Sequence, residues 1–420
     1  MTRKSLEEWL HWQESLSPRS IDLGLDRVRA VADRLSLAPP AGSVFTVAGT
    51  NGKGSCVALL ESLMAANGRS TGAYTSPHLV RFNERIRVDG RAVDDAILIE
   101  CFEMVENARA GQPLTYFEFG TLAAMVVFSR LDSRVWLLEV GLGGRLDAVN
   151  IIDPDYSLLT TVDLDHQAWL GGTVEAIAAE KAGIMRSKVP AFFGDRPVPS
   201  AIRECARELD APLHCFGEDF DYHAGSESWS WNGASLQLND LPYQELSDAV
   251  QLRNSSLVFA AVEAHDPALL QHAAVSRALK SRRPDGRFQV IQRDHEWVLD
   301  VAHNPQAAAV LRDRLGQLAT PAETTVVFGM MADKHIEAFV AQLEGLADRW
   351  VACQLDDSRA SSVNSLALEI EQAGIQTVLR AASAEESFDL AARTTGTGGR
   401  ILVCGSFRVV GPALRWLGLY

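Results

Sequence analysis

The chain has no stretch that is both apolar and uncharged for long enough to span a bilayer. Its first residues, Met1-Thr2-Arg3-Lys4, carry charge where a secretory leader needs an apolar run, so a cytoplasmic location is expected. Cysteine is sparse, with six in 420 residues, and none forms a C-x-x-C pair or stands beside a histidine cluster. A disulfide framework or a zinc site is therefore not expected, and reduced thiols are. Basic charge is also in deficit. Lys and Arg number 39 against 54 Asp and Glu, a net charge of −15. That excludes a general nucleic-acid or anionic-membrane binder, which needs a basic field, but leaves room for a local basic pocket around an anion. Low-complexity tracts and internal repeats are absent as well.

What is present is an ordinary globular composition, 47% hydrophobic and 22% charged. At roughly 150 residues per domain the length suggests two or three domains. Short β-rich runs alternate with helical segments, as in a largely parallel sheet covered by helices. Val44 to Ala48, Val135 to Val140 and Ser157 to Val162 read as strands; Cys56 to Ala66 and Thr173 to Ala182 read as helices. The polar run Ser281-Arg282-Arg283-Pro284-Asp285-Gly286 breaks the pattern, and the alternation restarts with strands at Trp297 to Val301, Thr325 to Phe328, Arg349 to Gln354 and Ile401 to Cys404. The expected fold is α/β: an N-terminal P-loop ATPase domain over 1–280 with a mainly parallel sheet, a linker at 281–287, and a smaller Rossmann-like α/β domain over 288–420. Between Phe216 and Leu252 the chain is polar, Trp-rich and weakly periodic, consistent with short strands and loops.

The sharpest chemical signal is Gly49-Thr50-Asn51-Gly52-Lys53-Gly54-Ser55, which follows a strand and opens a helix. Small residues let backbone N–H groups curl around phosphate oxygens, Lys53 adds a point charge, and the Ser55 hydroxyl suits a metal ion. Glu139 ends an apolar strand, where a carboxylate is costly unless paired or metal-bound, and precedes the glycine-rich Gly141-Leu142-Gly143-Gly144. Ligands of open α/β sheets bind beyond the carboxyl ends of strands, which makes Glu139 a Mg²⁺ ligand candidate. Asp163-Leu164-Asp165-His166 follows another strand in the same way. Lys181 sits at a helix end, where by itself it reads as favourable charge placement against the helix dipole. In the second domain Asp300, His303, Asp333-Lys334-His335 and Ser406 fall after strands, and Arg287 lies just past the linker. Each has a plain alternative as a cap, turn residue or surface charge; their joint placement at strand ends is what suggests a site.

Taken together these segments resemble the folylpolyglutamate synthase/dihydrofolate synthase family of the Mur-ligase-like superfamily, most of all its bifunctional bacterial members. The resemblance runs from about Ile21 to Phe407 through Ile21-Asp22-Leu23-Gly24-Leu25, the phosphate loop, Thr75-Ser76-Pro77-His78-Leu79, Leu138 to Asp147, Leu164-Asp165-His166, Glu180-Lys181-Ala182-Gly183, Gly286-Arg287-Phe288-Gln289, Asp300 to Pro305 and Cys404-Gly405-Ser406-Phe407. It implies ATP held by Asn51, Gly52, Lys53, Gly54, Asn254, Arg287 and Asp300, and Mg²⁺, at two sites, held by Ser76, Glu139 and His166 with Ser55. It further implies a carbamylated Lys181, and a monovalent cation as an additional ligand. Lys53, Lys181 and His166 would be the catalytic residues. Ile21, Asp22, Leu23, Thr115, Tyr116, Phe117, Glu118, Leu146, Asp147 and Ala148 match the pterin-site elements, and His303 and Ser406 match residues near the incoming glutamate. The implied activity is ATP-dependent joining of L-glutamate to dihydropteroate and to reduced folates through an acyl phosphate, by a monomer with no nucleic-acid or membrane partner. Two other readings stand beside it: a sister ligase acting on a cell-wall nucleotide precursor, and a nucleotide-binding regulator that uses the loop without ligation.

Overall fold

The computed structural model describes residues 4–17, 21–243, 248–281 and 284–420; Arg282 and Arg283 of the expected linker lie outside the described residues. The chain divides into two units. One comprises Met1–Pro77 and Phe82–Arg282, the other His78–Arg81 and Arg283–Tyr420.

The first unit is built on an eight-stranded sheet. Its strands are β1 (Ser43–Ala48), β2 (Thr71–Tyr74), β3 (Ile86–Val88), β4 (Arg91–Ala92), β5 (Val135–Glu139), β6 (Tyr156–Leu159), β7 (Ala191–Phe193) and β8 (Leu213–Cys215), in the order β4-β3-β2-β5-β1-β6-β7-β8. From β2 to β8 the pairings are parallel; β3 and β4 add an antiparallel edge. All five residues of β5 are buried, as are five of the six in β1. Helices cover both faces, so these strands read as continuous apolar runs. The pleat sorts them: Val44, Ala48, Trp136 and Leu138 join one core, Phe45, Val47, Val135 and Leu137 the other. From β1 the chain moves off toward β2, and from β6 toward β7, on opposite sides. The carboxyl ends of adjacent β1 and β6 therefore flank a topological switch point, where such sheets bind ligands.

The Trp-rich stretch forms a three-stranded antiparallel sheet of β9 (Asp221–Ala224), β10 (Ser228–Asn232) and β11 (Gln237–Pro242). Trp229 and Trp231 pack on Phe259 of the helix Ala249–His265, with ring centroids 5.8 and 5.7 Å apart. Glu263 of that helix accepts N–H bonds from Ala234, Ser235 and Leu236 at 2.9, 2.8 and 2.7 Å. The tryptophans are thus core, and the small sheet braces the helix that carries Asn254.

The second unit has a six-stranded sheet of β12 (Gln289–Gln292), β13 (Glu296–Leu299), β14 (Thr324–Phe328), β15 (Arg349–Cys353), β16 (Val378–Ala381) and β17 (Arg400–Cys404). The order is β12-β13-β17-β14-β15-β16, parallel except for β12. Among the described residues no helix is long and apolar enough to cross a membrane.

Candidate active site

The phosphate loop joins β1 to the helix Lys53–Ala66, which begins at Lys53 because Gly52, in the left-handed region at φ 89°, caps it. A Cβ at Gly52 would sit 2.8 Å from Asn254 Oδ1, and one at Gly49 would collide with Thr160 Oγ1. Only glycine lets these neighbours approach so closely. The loop is laced to the segment after β6. Thr50 N–H donates to Thr161 O at 2.8 Å, Asn51 N–H to Thr161 Oγ1 at 3.1 Å, and Asp163 N–H to Thr50 Oγ1 at 3.0 Å. The Thr160 hydroxyl donates to Asn51 O at 2.5 Å. Lys53 Nζ reaches back to Gly49 O and Thr50 O at 2.9 and 3.2 Å, placing its charge within the loop.

Around this loop stand groups from three other strand ends. Glu139 is 3% exposed, and its Oε2 accepts the Ser76 N–H at 3.1 Å. Burial, and then the Glu139 carboxylate, hold the Cys56 thiol pKa far above its usual value. Asp147 takes N–H bonds from Gly141, Leu142 and Val149 at 2.9, 2.8 and 3.0 Å, tying the glycine-rich turn to the short helix Ala148–Ile151 that it caps. Burial raises its pKa to about 6, against those three bonds and the Lys53 charge. Lys181 is 5% exposed. Burial and then repulsion from Lys53 lower its pKa to about 7, with Asp165 and Asp147 opposing. Its helix end is pinned by Arg145 N–H to Glu180 O at 2.9 Å and by the Asn150 amide to Arg145 O and Gly183 O at 3.1 and 3.0 Å. Lys53, Asp147, Asp165 and Lys181 therefore act on one another across three loops. His166 has φ 51° and caps the turn Gln167–Leu170; its N–H meets Asp165 Oδ1 at 2.8 Å, and its Nε2 lies 3.9 Å from Asp165 Oδ2.

A further group lies at the helix Tyr116–Arg130. Thr115 and Glu118 form a capping box, Glu118 N–H to Thr115 Oγ1 at 3.2 Å and Thr115 N–H to Glu118 Oε2 at 2.7 Å. Arg27 joins this box to the early segment, with Nε 2.8 Å from Glu118 Oε1 and Nη1 3.0 Å from Asp22 Oδ2. Asp22 thus pairs with Arg27, while the helix Asp26–Arg34 begins without a side-chain cap. Ile21, Asp22, Leu23 and Leu146 are half-buried and Ala148 is buried. Phe117 lays its ring on Gly141, where a Cβ would meet it at 2.6 Å, and packs 5.8 Å from the Tyr74 ring. Tyr116 stands edge-on to Phe82 at 5.8 Å.

In the second unit Asp300 is buried after β13. Burial raises its pKa; Arg314, Arg287 and the Ala302 N–H at 2.7 Å pull the other way. His303 Nδ1 meets Val301 O at 2.9 Å, and Ser406 caps the helix Phe407–Trp416 by accepting the Arg408 N–H at 3.1 Å.

Sequence reasoning did not single out Arg27, Thr160 or Thr161 as site residues, and named Asp165 only within the run Asp163-Leu164-Asp165-His166. The two threonines lay inside the expected strand Ser157 to Val162, whereas β6 ends at Leu159 and leaves them in the loop that precedes the aspartates. Arg27 carried no signal, because its partners lie across the fold at Glu118 and five residues back at Asp22.

A family model described as Mur ligase, glutamate ligase domain, matches residues 286–407. The dihydrofolate synthase/folylpolyglutamate synthase of Escherichia coli (strain K12) is 39% identical over 405 residues, 96% of this chain and 94% of that one. Among solved structures, E. coli FolC in complex with DHPP and ADP superposes with a TM-score of 0.92 at 37% identity, over 99% of this chain and 98% of that chain. The bifunctional folylpolyglutamate synthase/dihydrofolate synthase of Yersinia pestis complexed with AMPPNP and Mn ion gives a TM-score of 0.90 at 37% identity, with the same coverage.

Proposed function

The chain belongs to the dihydrofolate synthase/folylpolyglutamate synthase family, and we propose from that premise how its own residues carry out ATP-dependent ligation of L-glutamate. The acceptors are dihydropteroate, giving dihydrofolate, and reduced folates, giving their polyglutamates. The observation that carries the reading is the gathering of Lys53, Asp147, Asp165 and Lys181 around the loop at the β1/β6 switch point. A carboxylate is a poor electrophile toward an amine. Transfer of the ATP γ-phosphoryl to the acceptor carboxylate releases ADP and leaves an acyl phosphate. The glutamate amine attacks the acyl carbon, the C–O bond to phosphate breaks, and a proton leaves the new amide nitrogen. The loop N–H groups and Lys53 bind the phosphates and offset their charge, as in other phosphoryl transfers. The tie between the β1 and β6 loops, made through the Thr50 and Asn51 N–H groups, fixes the loop backbone before substrate arrives.

Ser76, Glu139 and His166 offer the hydroxyl oxygen, buried carboxylate and imidazole that a Mg²⁺ ion accepts, and Glu139 at a strand end fits that role. Bound there with Ser55, the ion would neutralise phosphate charge. Glu139→Ala and His166→Ala are each expected to shift the Mg²⁺ dependence of ligation upward by about tenfold or more. Mg²⁺ titrations of ligation by both variants that overlay the wild-type curve would remove these residues from the metal site.

The segment Ile21 to Leu23, with Thr115 to Glu118 and Leu146 to Ala148, forms the dihydropteroate pocket in this reading. Arg27 holds its first part against Glu118. Asp22→Ala and Arg27→Ala are expected to raise KM for dihydropteroate by about tenfold, a loss typical of one charge-assisted contact, and Leu23→Ala to raise it by about tenfold through lost apolar contact. Extension of tetrahydrofolate by these variants changes far less. Equal loss of both activities together with a lowered Tm would assign the segment a structural role instead.

A further inference from the structure

Beyond Lys53 the helix Lys53–Ala66 carries a single charged residue, Glu61, and it is buried. A buried carboxylate is costly unless it is paired. Its partner is Arg87 of β3, whose Nε lies 3.0 Å from Glu61 Oε2 and 3.4 Å from Oε1. The same guanidinium uses Nη1 twice more, donating to Thr75 Oγ1 and to Glu84 O, both at 2.9 Å. One side chain thus joins the phosphate-loop helix, the segment after β2 and the short helix Phe82–Arg85.

Thr75 is held from two directions. Its N–H donates to Arg85 O at 2.9 Å, which extends the β2–β3 pairing past Tyr74, and its hydroxyl accepts from Arg87. The next residue is Ser76, whose N–H donates to Glu139 Oε2. Arg87 and Glu139 therefore clamp a two-residue segment that carries the Ser76 hydroxyl. Packing alone does not call for such an arrangement, since apolar residues of similar volume often replace a buried ion pair with no loss of stability. What they cannot supply is the further bond to Thr75. It comes from a planar guanidinium that meets a carboxylate and a hydroxyl in fixed directions.

We propose that Arg87 is a positioning residue for the metal site. By tying Thr75 to the phosphate-loop helix, it sets where the Ser76 hydroxyl stands beside the Glu139 carboxylate. The oxygen ligands are then ordered relative to the loop that binds the phosphates before an ion arrives. The inference rests on the metal-site reading above, and in it Arg87 touches neither the ion nor the substrate. Groups that orient metal ligands in this way contribute roughly tenfold to a hundredfold in metal affinity.

The test uses the purified full-length protein with AMPPNP and reads Mn²⁺ binding directly by electron paramagnetic resonance. Thr75→Val removes the hydroxyl and leaves the Glu61–Arg87 pair in place. Arg87→Lys keeps a charge for Glu61 but loses the fork. Each variant is expected to weaken Mn²⁺ binding by about tenfold while Tm stays near wild type. Thr75→Ser, which keeps the hydroxyl, is expected to bind Mn²⁺ as the wild type does. Saturating Mg²⁺ is expected to bring ligation by Thr75→Val back to within a few-fold of wild type. Mn²⁺ titrations of Thr75→Val and Arg87→Lys that overlay the wild-type curve would overturn the proposal. So would a lowered Tm in both variants with unchanged Mn²⁺ affinity, which would make the arginine a structural staple alone. Unchanged Mn²⁺ binding in Glu139→Ala would overturn the metal-site reading itself. That result is distinct from Glu139→Ala losing the ion while the Thr75 and Arg87 variants keep it.

Discussion

Replacing Lys53 by alanine is expected to leave a folded protein that no longer joins glutamate to its acceptor. The ammonium lies within the phosphate loop, donating to Gly49 O and Thr50 O, at the first position of its helix. Alanine is a strong helix former, and no packed core is opened, so Tm should stay near wild type. The phosphoryl-transfer step loses a fixed positive charge aimed at developing anionic charge. Removing one such donor elsewhere costs roughly a hundredfold to a thousandfold in kcat, and a full charge at the transferring phosphate should cost no less. Circular dichroism and thermal melts establish the fold, and coupled detection of ADP establishes the rate. Turnover within a few-fold of wild type in a folded Lys53→Ala protein would take the loop out of the mechanism.

The second large effect is expected at Lys181. As an ammonium it would be repelled by Lys53 and stripped of water; as a neutral amine it suits the site, which is why its pKa falls to about 7. A neutral amine is the form that adds CO₂, and the carbamate would carry negative charge toward the metal and the phosphates. Carbamylation should therefore be favoured above pH 7 and fall away as the pH drops below it. Lys181→Ala is expected to lose activity by about a hundredfold or more and to recover part of it with a small added carboxylate. The unmodified lysine also makes stability depend on pH. Its folded pKa, about 7, lies below the unfolded value near 10.4. Between those limits the unfolded chain binds more protons, so stability rises with pH from about 7 toward about 10. Lys181→Met should flatten that slope in urea titrations across the range. An unchanged slope, or full activity in Lys181→Ala, would show that the amine is not the buried, weakly basic group described here.

Much of this candidate site is legible in the sequence, and the reason is local. Gly49 to Ser55 lie between a buried strand and a helix, so seven consecutive residues display the loop, its charge and its context. Glu139 was conspicuous because β5 is otherwise apolar. The strands were legible for the same reason, since burial on both faces leaves runs of Val, Leu and Phe that few other elements produce. What stayed hidden depended on distance in sequence. Taken by itself, Lys181 read as favourable charge placement against the helix dipole, and only the resemblance put it in the site; its burial beside Asp147, Asp165 and Lys53 is visible in the structure alone. The contacts of Glu118 with Thr115 and Arg27 were also hidden, because Arg27 lies 91 residues away in sequence. Asp147 likewise gathers three backbone N–H groups around itself. The Trp-rich stretch gave no clear period because its strands are short and one is bulged, and its partners are supplied by a later helix.

The central claim is that one protein couples ATP cleavage to amide formation on both a pteroate and a folate. The most direct measurement is mass spectrometry of the products after incubation of the purified protein with ATP, Mg²⁺, L-glutamate and, in separate reactions, dihydropteroate and tetrahydrofolate. The account predicts dihydrofolate from the first and glutamate-extended tetrahydrofolate from the second, each with one ADP and one phosphate per new amide bond, and no ADP when either glutamate or the acceptor is left out. ATP cleavage that proceeds without an acceptor, or the absence of dihydrofolate from the first reaction, would contradict it.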